Sequence, residues 1–419
     1  MAVTVLTART QAASINYSYS TSGTSDWSGI SNSTYFYDLV DKLPRYKNSS
    51  GTILELFSGS LTYFSDTGIT ASPNASVPVV SLIATSGATN LDVAIVPKGS
   101  GALLAAIPDG TTVGGNKRGT NAIDLQTTRT NADQVASGNN SIVIGANSKA
   151  SSAQGVAIGV GALASGSGVA LNSNGNVTGG NATASGTGSF AVNGGTASNS
   201  WSFAMGRAVA SNLNSFAFGG YYVQVTASGD GAIAMSEGNT ASGDKSAAIG
   251  GYGNTASGYA SYAFGQQANT FSIYGRQSRG YLNTVAGDCQ KSEFFLSLRT
   301  TGGTASTLTV GGVASAYYNQ VILSNNSSYR FKGTIIGKQS SSTNTAAWDI
   351  DGLIVRGANA ASTSLVVGNV NLVSNNPGWG TPTLSADTGN GGLQVQVIGS
   401  ATTSIQWTCT VDTTEVIYA

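Results

Sequence analysis

The residues that could do chemistry are few. The chain has no histidine, so a histidine-based triad, metal site or imidazole acid/base is excluded. Cys289 and Cys409 are the only cysteines, too few for a disulfide framework or a zinc site, and they read as small hydrophobes. Asp349 and Asp351 sit two apart on an expected strand, so they share a face. There they could bind a cation, act as an acid/base pair, or belong to a solvated strand face. Asp387 and Asn390 lie in a Gly-rich stretch that reads as a hairpin turn. The string Gly159-Val160-Gly161-Ala162 lacks the Lys-Ser/Thr ending of a phosphate loop. Three aromatics remain as ligand-binding candidates: Trp379 in a turn-rich loop, where a ring could stack on a sugar or cover a sheet edge, and Tyr221 and Tyr222. No catalytic, metal or cofactor site is expected, and the chain reads as not an enzyme.

The elements that position these residues are dominated by a repeat. Aligned on Ala-Ser-Gly followed by Ser-x-Ala-x-Gly, nine copies of a repeat begin at Ala136, Ala150, Ala164, Ala184, Ala197, Ala210, Ala227, Ala241 and Ala256. A period near 14 residues is too short for a helix pair and fits two short strands and two turns, one rung of a coiled sheet. Nine rungs at the usual inter-strand spacing give a rod of about 40 Å. Side chains alternate along a strand, so the two x residues share a face. They are mostly large and apolar, and they are expected to fill the interior, with Ser and Ala on a uniformly small outer face. A roll this thin is marginal alone, because ordering each residue costs about 1–2 kcal/mol. Burial of the small face against copies of the chain would offset this, which leads to an expected homotrimer. The two longest steps place insertions at Asn172–Thr183 and at Gly220–Thr226, the second carrying Tyr221 and Tyr222. Such insertions project from one surface of a solenoid and are either contact sites or longer exposed turns.

Residues 1–134 mix signals. Phe36, Leu39, Val40 and Leu43 would share one face of a helix capped by Ser33 or Thr34 and stopped by Pro44. Thr52–Phe57, Val79–Ala84 and Leu91–Val96 read as strands, and 114–119 as a loop. Residues 276–315 lose the period. From Tyr317 alternation returns in Tyr317–Leu323, Tyr329–Lys338, Ala347–Arg356, Leu365–Val373, Leu393–Ile398, Ser404–Val411 and Glu415–Tyr418. That spacing predicts a C-terminal antiparallel β-sandwich, jelly-roll-like, over 316–419. The expected architecture is therefore all-β: a mixed N-terminal region (1–134), a β-roll shaft (135–275), a transition (276–315) and the sandwich.

Composition narrows the partners. Nineteen basic and nineteen acidic residues leave no net charge, which argues against nucleic acid or an anionic membrane. There is no long apolar run and no charged-then-apolar start, so neither membrane insertion nor signal-dependent export is expected. Glycine, at 56 residues, is about twice its usual share and marks many tight turns.

Two resemblances add to this. Repeat units such as Ala241-Ser242-Gly243-Asp244-Lys245-Ser246-Ala247-Ala248-Ile249-Gly250 resemble the head repeats of trimeric autotransporter adhesins, which implies a left-handed parallel β-roll. A longer series is similar to tail-fibre-like proteins of tailed bacteriophages. It runs from 92–99, through 107–110, 114–119 and 122–126 into the repeats, and closes with 405–416. That resemblance implies a trimeric virion fibre, made in the bacterial host cytoplasm and displayed on the particle. Its N-terminal region would hold a baseplate, tail or capsid protein, and its C-terminal domain a host-surface glycan or protein. The alternatives are a capsid decoration or head fibre, a bacterial surface adhesin, or a tailspike glycan hydrolase.

Overall fold

In the computed structural model, residues 92–172, 180–281 and 285–418 are described continuously, with shorter stretches between residues 16 and 90. Contacts divide the chain into two units, 1–95 and 96–419. Among the described residues the fold is all-β, with two three-residue 3-10 turns, Val310–Gly312 and Ala360–Ser362.

The repeats coil into a parallel β-solenoid of about 10 turns. Each copy donates one strand to each of two parallel sheets. In the first, Ile142–Ile144, Val156–Gly159, Val169–Asn172, Phe190–Val192, Phe203–Met205 and Phe216–Phe218 stack in register. In the second, two- or three-residue strands such as Thr183–Ala184, Thr196–Ala197 and Ala208–Ala210 do the same. Both sheets point alanine inward. Ala157, Ala170, Ala191, Ala204 and Ala217 form one column and Ala164, Ala184, Ala197 and Ala210 another, all fully buried in one cluster. The Ser of each Ser-x-Ala-x-Gly is also buried. In four copies its hydroxyl donates to the carbonyl three residues earlier, as Ser141 does to Gly138 O (2.6 Å) and Ser215 to Asn212 O (2.6 Å).

This reverses the face assignment expected from the sequence. The large x residues lie on the outer surface, where Ile142, Val156, Val169, Phe190, Phe203 and Phe216 form a register-aligned column. Volume decides the outcome: a rung of about 14 residues brings its two sheets too close for more than a Cβ from each. The Phe rings then stack on one another outside, at 5.4 Å between Phe190 and Phe203 and 4.7 Å between Phe203 and Phe216. The corner glycines follow from the same tight coil. Gly159 has φ +110°, and a Cβ there would sit 1.6 Å from Asn172 O.

Buried ion pairs lie near both ends of the coil. Asp124 accepts from Arg118 Nε (2.7 Å) and from Arg129 Nη2 (3.4 Å), with both carboxylate and guanidinium groups out of water. At the other end Arg276 pairs with Glu415 and lies over the rings of Phe271, Phe294 and Tyr329. Atypical terminal turns are what a solenoid needs to keep its core columns from ending in water.

The first sheet does not stop with the repeats. Gln277–Gly280 stacks parallel on Tyr262–Gly265 and pairs antiparallel with Cys289–Thr300. The sheet continues through Ile405–Ile417, Ser327–Gln339, Thr345–Arg356 and Ser364–Asn375. A second antiparallel sheet joins Ala305–Thr307, Gly392–Ile398, Val321–Ile322 and Gly380–Asp387. The two share a core of Phe294, Tyr329, Trp348, Trp407, Leu308, Val395 and Val397. Tyr317–Leu323 is strand only at Val321–Ile322, and 380–387 is a strand that alternation had not signalled.

In the N-terminal unit the expected helix is absent. Thr34–Asp38 and Leu43–Lys47 pair as antiparallel strands, while 39–42 lie outside the described residues. An aromatic run, Tyr35-Phe36-Tyr37, fits a pleated surface better than a helix, and Tyr35 packs on its cross-strand partner Tyr46 at 4.6 Å. Val79–Ala84 is a strand, paired with Phe64–Ile69, and Ile53–Glu55 is the strand within 52–57. Asp92–Val96 is not a strand: these residues are exposed and have no partner strand.

Candidate functional site

The insertion at 220–226 is a built loop rather than a slack turn. The carboxylate of Glu237, one turn further on, accepts the backbone N–H of Tyr221 (2.9 Å), of Tyr222 (2.8 Å) and of Val223. From the other side Arg207 Nη1 donates to Tyr222 O (2.6 Å). The Tyr221 hydrogen bond first, and then those of Val223 and Tyr222, hold the Glu237 carboxyl below the usual carboxylate range. Held in this way, the two tyrosines remain 66% and 78% exposed and meet edge to face at 4.6 Å. Beside them opens a recess of about 460 Å³. Met205 and Phe218 form its apolar part, with Asn193, Arg207 and Ser236 at its edge. Rigid aromatics next to an apolar recess with a few polar groups can bind a ring-shaped or amphipathic ligand.

The tyrosines were legible in the sequence as part of a long step between repeats. Glu237 and Arg207 were not, because both come from neighbouring turns and only the stacking brings them under the loop. The other insertion, Asn172–Thr183, falls mostly on 173–179, outside the described residues.

Trp379 is placed differently from the expectation of a ring open to a sugar. It is 7% exposed and packs edge to face on Trp407 at 5.4 Å. The side-chain amide of Asn375 bonds both its N–H (2.9 Å) and its carbonyl (2.7 Å). It covers one end of the shared core, and no face of the ring is presented to a ligand.

Asp349 and Asp351 do share the outer face of the large antiparallel sheet, but both are engaged. Asp351 takes a hydrogen bond from Arg330 (2.7 Å) and one from Asn369 (3.3 Å), and Arg330 above all holds its carboxyl below the ordinary range. Asp349 accepts from Thr334 (3.0 Å). Asp387 accepts from the N–H groups of Gly389 and Asn390, the turn expected there. Cys409 is buried, and burial pushes its thiol up to about 12. Among the described residues no three potential metal ligands cluster, and no helix is long and apolar enough to cross a membrane.

Fold and surface together define a β-solenoid with small buried residues inside and an apolar ladder outside. Its repeats match the YadA head domain repeat, in two copies over residues 136–168. The chain is also similar to solved tailspike structures. One is a tailspike of Acinetobacter baumannii bacteriophage Fri1, a capsular polysaccharide depolymerase. It is 9% identical over 71% of this chain and 48% of that one, with TM-score 0.22. Another is the tailspike of Acinetobacter baumannii phage AM24, 10% identical over 65% of this chain and 45% of that one, TM-score 0.17. A third is that of Acinetobacter phage vB_ApiP_P1, 12% identical over 73% and 59%, TM-score 0.18. The chain thus spans about half the length of the tailspikes it matches. No curated protein matches it. The expectation of a chain that is not an enzyme does not stand beside these structures, the first of which, though not this chain, is described as a depolymerase. The repeat and the solenoid support a fibre- or adhesin-type role.

Proposed function

We propose that the protein is a homotrimeric fibre displayed on a bacteriophage particle. Residues 1–134 attach to a baseplate, tail or capsid protein, the solenoid over 135–275 separates the two ends, and the C-terminal part over 316–419 meets the host surface. The observation that carries this reading is the outer apolar ladder from Ile142 to Phe216, continued by Ile233. A strip of large apolar side chains along a rod, on a chain with few charges, is an interaction surface. Copies of the same rod fit it, because the ladder repeats with the rung spacing and meets itself in register under rotational symmetry. In this reading the Tyr221–Tyr222 loops flank the shaft as lateral contact points for the host surface.

Gold-labelled antibody against the full chain tests it on intact particles. Label at a defined position on the particle, tail or capsid, is the expected result. Label on bacterial cells that carry no phage would instead favour a surface adhesin, the reading that the YadA head repeat supports.

A further inference from the structure

On the outer face of the large sheet, where the solenoid gives way to the antiparallel strands, three cations share one cross-strand row. Arg279 stands directly opposite Lys291, Lys291 opposite Thr414, and Thr414 opposite Arg330. Like charges directly opposite on neighbouring strands destabilise a sheet, and this chain has only 19 basic residues to distribute. The nearby carboxylates do not resolve the row. Arg330 is taken by Asp351. Lys291 reaches Asp412 only at 3.5 Å, with both side chains more than half in water. Arg279 has no carboxylate within ion-pair distance among the described residues. Glu293 stands in the next row, opposite Gln277 and Asp412. Glu415, buried on the inner face, is consumed by Arg276, Gln290 and Thr413.

Arg279 and Lys291 line a groove of about 1000 Å³. Tyr252 and Tyr281 also line it, Tyr281 being 79% exposed, and Gly251, Gly265 and Gly280 contribute backbone without side chains. The groove therefore offers aromatic faces, a flat floor and two adjacent cations that lack a full counter-charge.

We infer that this groove binds an anionic sugar unit, a uronate of an acidic glycan, with its ring against Tyr252 and Tyr281 and its carboxylate on Arg279 and Lys291. A guanidinium fork matches a carboxylate in two hydrogen bonds, and an aromatic face matches the apolar face of a pyranose. An anion between the two cations also relieves their repulsion, so the free protein holds strain that the ligand removes. The inference deepens the surface-recognition reading and rests on it for the source of the glycan. The site itself is tested on purified protein, without reference to the particle.

The full chain is titrated calorimetrically with oligogalacturonate and oligoglucuronate, with maltohexaose as the neutral control and inorganic phosphate as the plain anion. Binding of at least one uronate oligomer is expected, at least tenfold tighter than maltohexaose and weakening as salt is raised. Arg279→Gln and Lys291→Gln should each cut it at least tenfold, while Lys338→Gln, at the far end of the same face, leaves it unchanged. Without ligand, Arg279→Gln should leave the thermal midpoint level or raise it by about 1–2 °C, since it removes a like-charge pair. Equal affinity for phosphate and uronate would mean an adventitious ion only and would overturn the proposal. So would equal binding of neutral and acidic oligomers, indifference to both substitutions, or no uronate binding. A trimer on a particle that binds no uronate leaves the fibre reading intact and removes only this site.

Discussion

Replacing Ala204 by leucine tests the inverted interior. Ala204 is fully buried, stacked in register between Ala191 and Ala217 and clustered with the alanines of the opposite sheet. Leucine adds three carbon atoms where the facing side chains are single methyl groups. Inserting extra carbons into a packed core costs about 1–3 kcal/mol when neighbours can shift. Here the neighbours are backbone and Cβ atoms of two sheets, so the upper end applies. At about 2–4 °C per kcal/mol, a loss of about 3 kcal/mol lowers the thermal midpoint by 6 °C or more. The control is one residue away: Phe203→Leu changes an outward ring that stacks on Phe190 and Phe216, and its cost stays near about 1 kcal/mol. Circular dichroism melts of both variants at one protein concentration read the difference. If Ala204→Leu melts within a degree of the parent and Phe203→Leu is the damaging change, the large residues face inward and the alanine columns do not form the interior.

Three further outcomes follow from the same geometry. Ala260 holds φ +52° at a turn corner, a conformation that costs a non-glycine residue about 1–2 kcal/mol, so Ala260→Gly should stabilise by about 0.5–1 kcal/mol net of the unfolded-chain entropy; a lower melting temperature would contradict this. Glu237 has a folded pKa below its unfolded one, so its support of the 221–223 loop is complete at neutral pH and is lost as pH falls through that lowered value. Protection of the 221–223 amides, relative to their intrinsic exchange rate at the same pH, should fall in acid and in Glu237→Gln, and unchanged protection in both would show the loop is held otherwise. Glu415→Gln leaves Arg276 buried without its counter-charge and should cost about 3–5 kcal/mol, read as loss of the folded C-terminal sheet at a lower temperature; a change under 1 kcal/mol would show that Arg276 is not paired there in solution.

How much of this was readable in the residues follows from what each signal measures. The 14-residue period reports geometry, since only a coil of short strands closes on itself so quickly, and it located every rung from Ile142 to Phe264. Alternation within a rung reports that two faces exist, not which is inside. Hydrophobicity placed Phe203 inward, and the available volume placed Ala204 there. The helix over 33–43 failed for a related reason: four apolar residues at helical spacing also occur in a pair of short aromatic strands. At the candidate loop, Tyr221 and Tyr222 were visible as an interruption of the period. Their anchor Glu237 lies 16 residues from Tyr221 and becomes a neighbour only through stacking. The Arg279–Lys291 row depends on antiparallel register, which no local pattern encodes.

The central claim is that the outer ladder joins copies of this chain into a trimeric rod, and the mass of the full-length protein in solution tests it most directly. Sedimentation equilibrium should give three times the 42.1 kDa chain mass, and Phe203→Asp together with Phe216→Asp should return the single-chain mass. A parent protein that sediments as one chain at every concentration would contradict the claim.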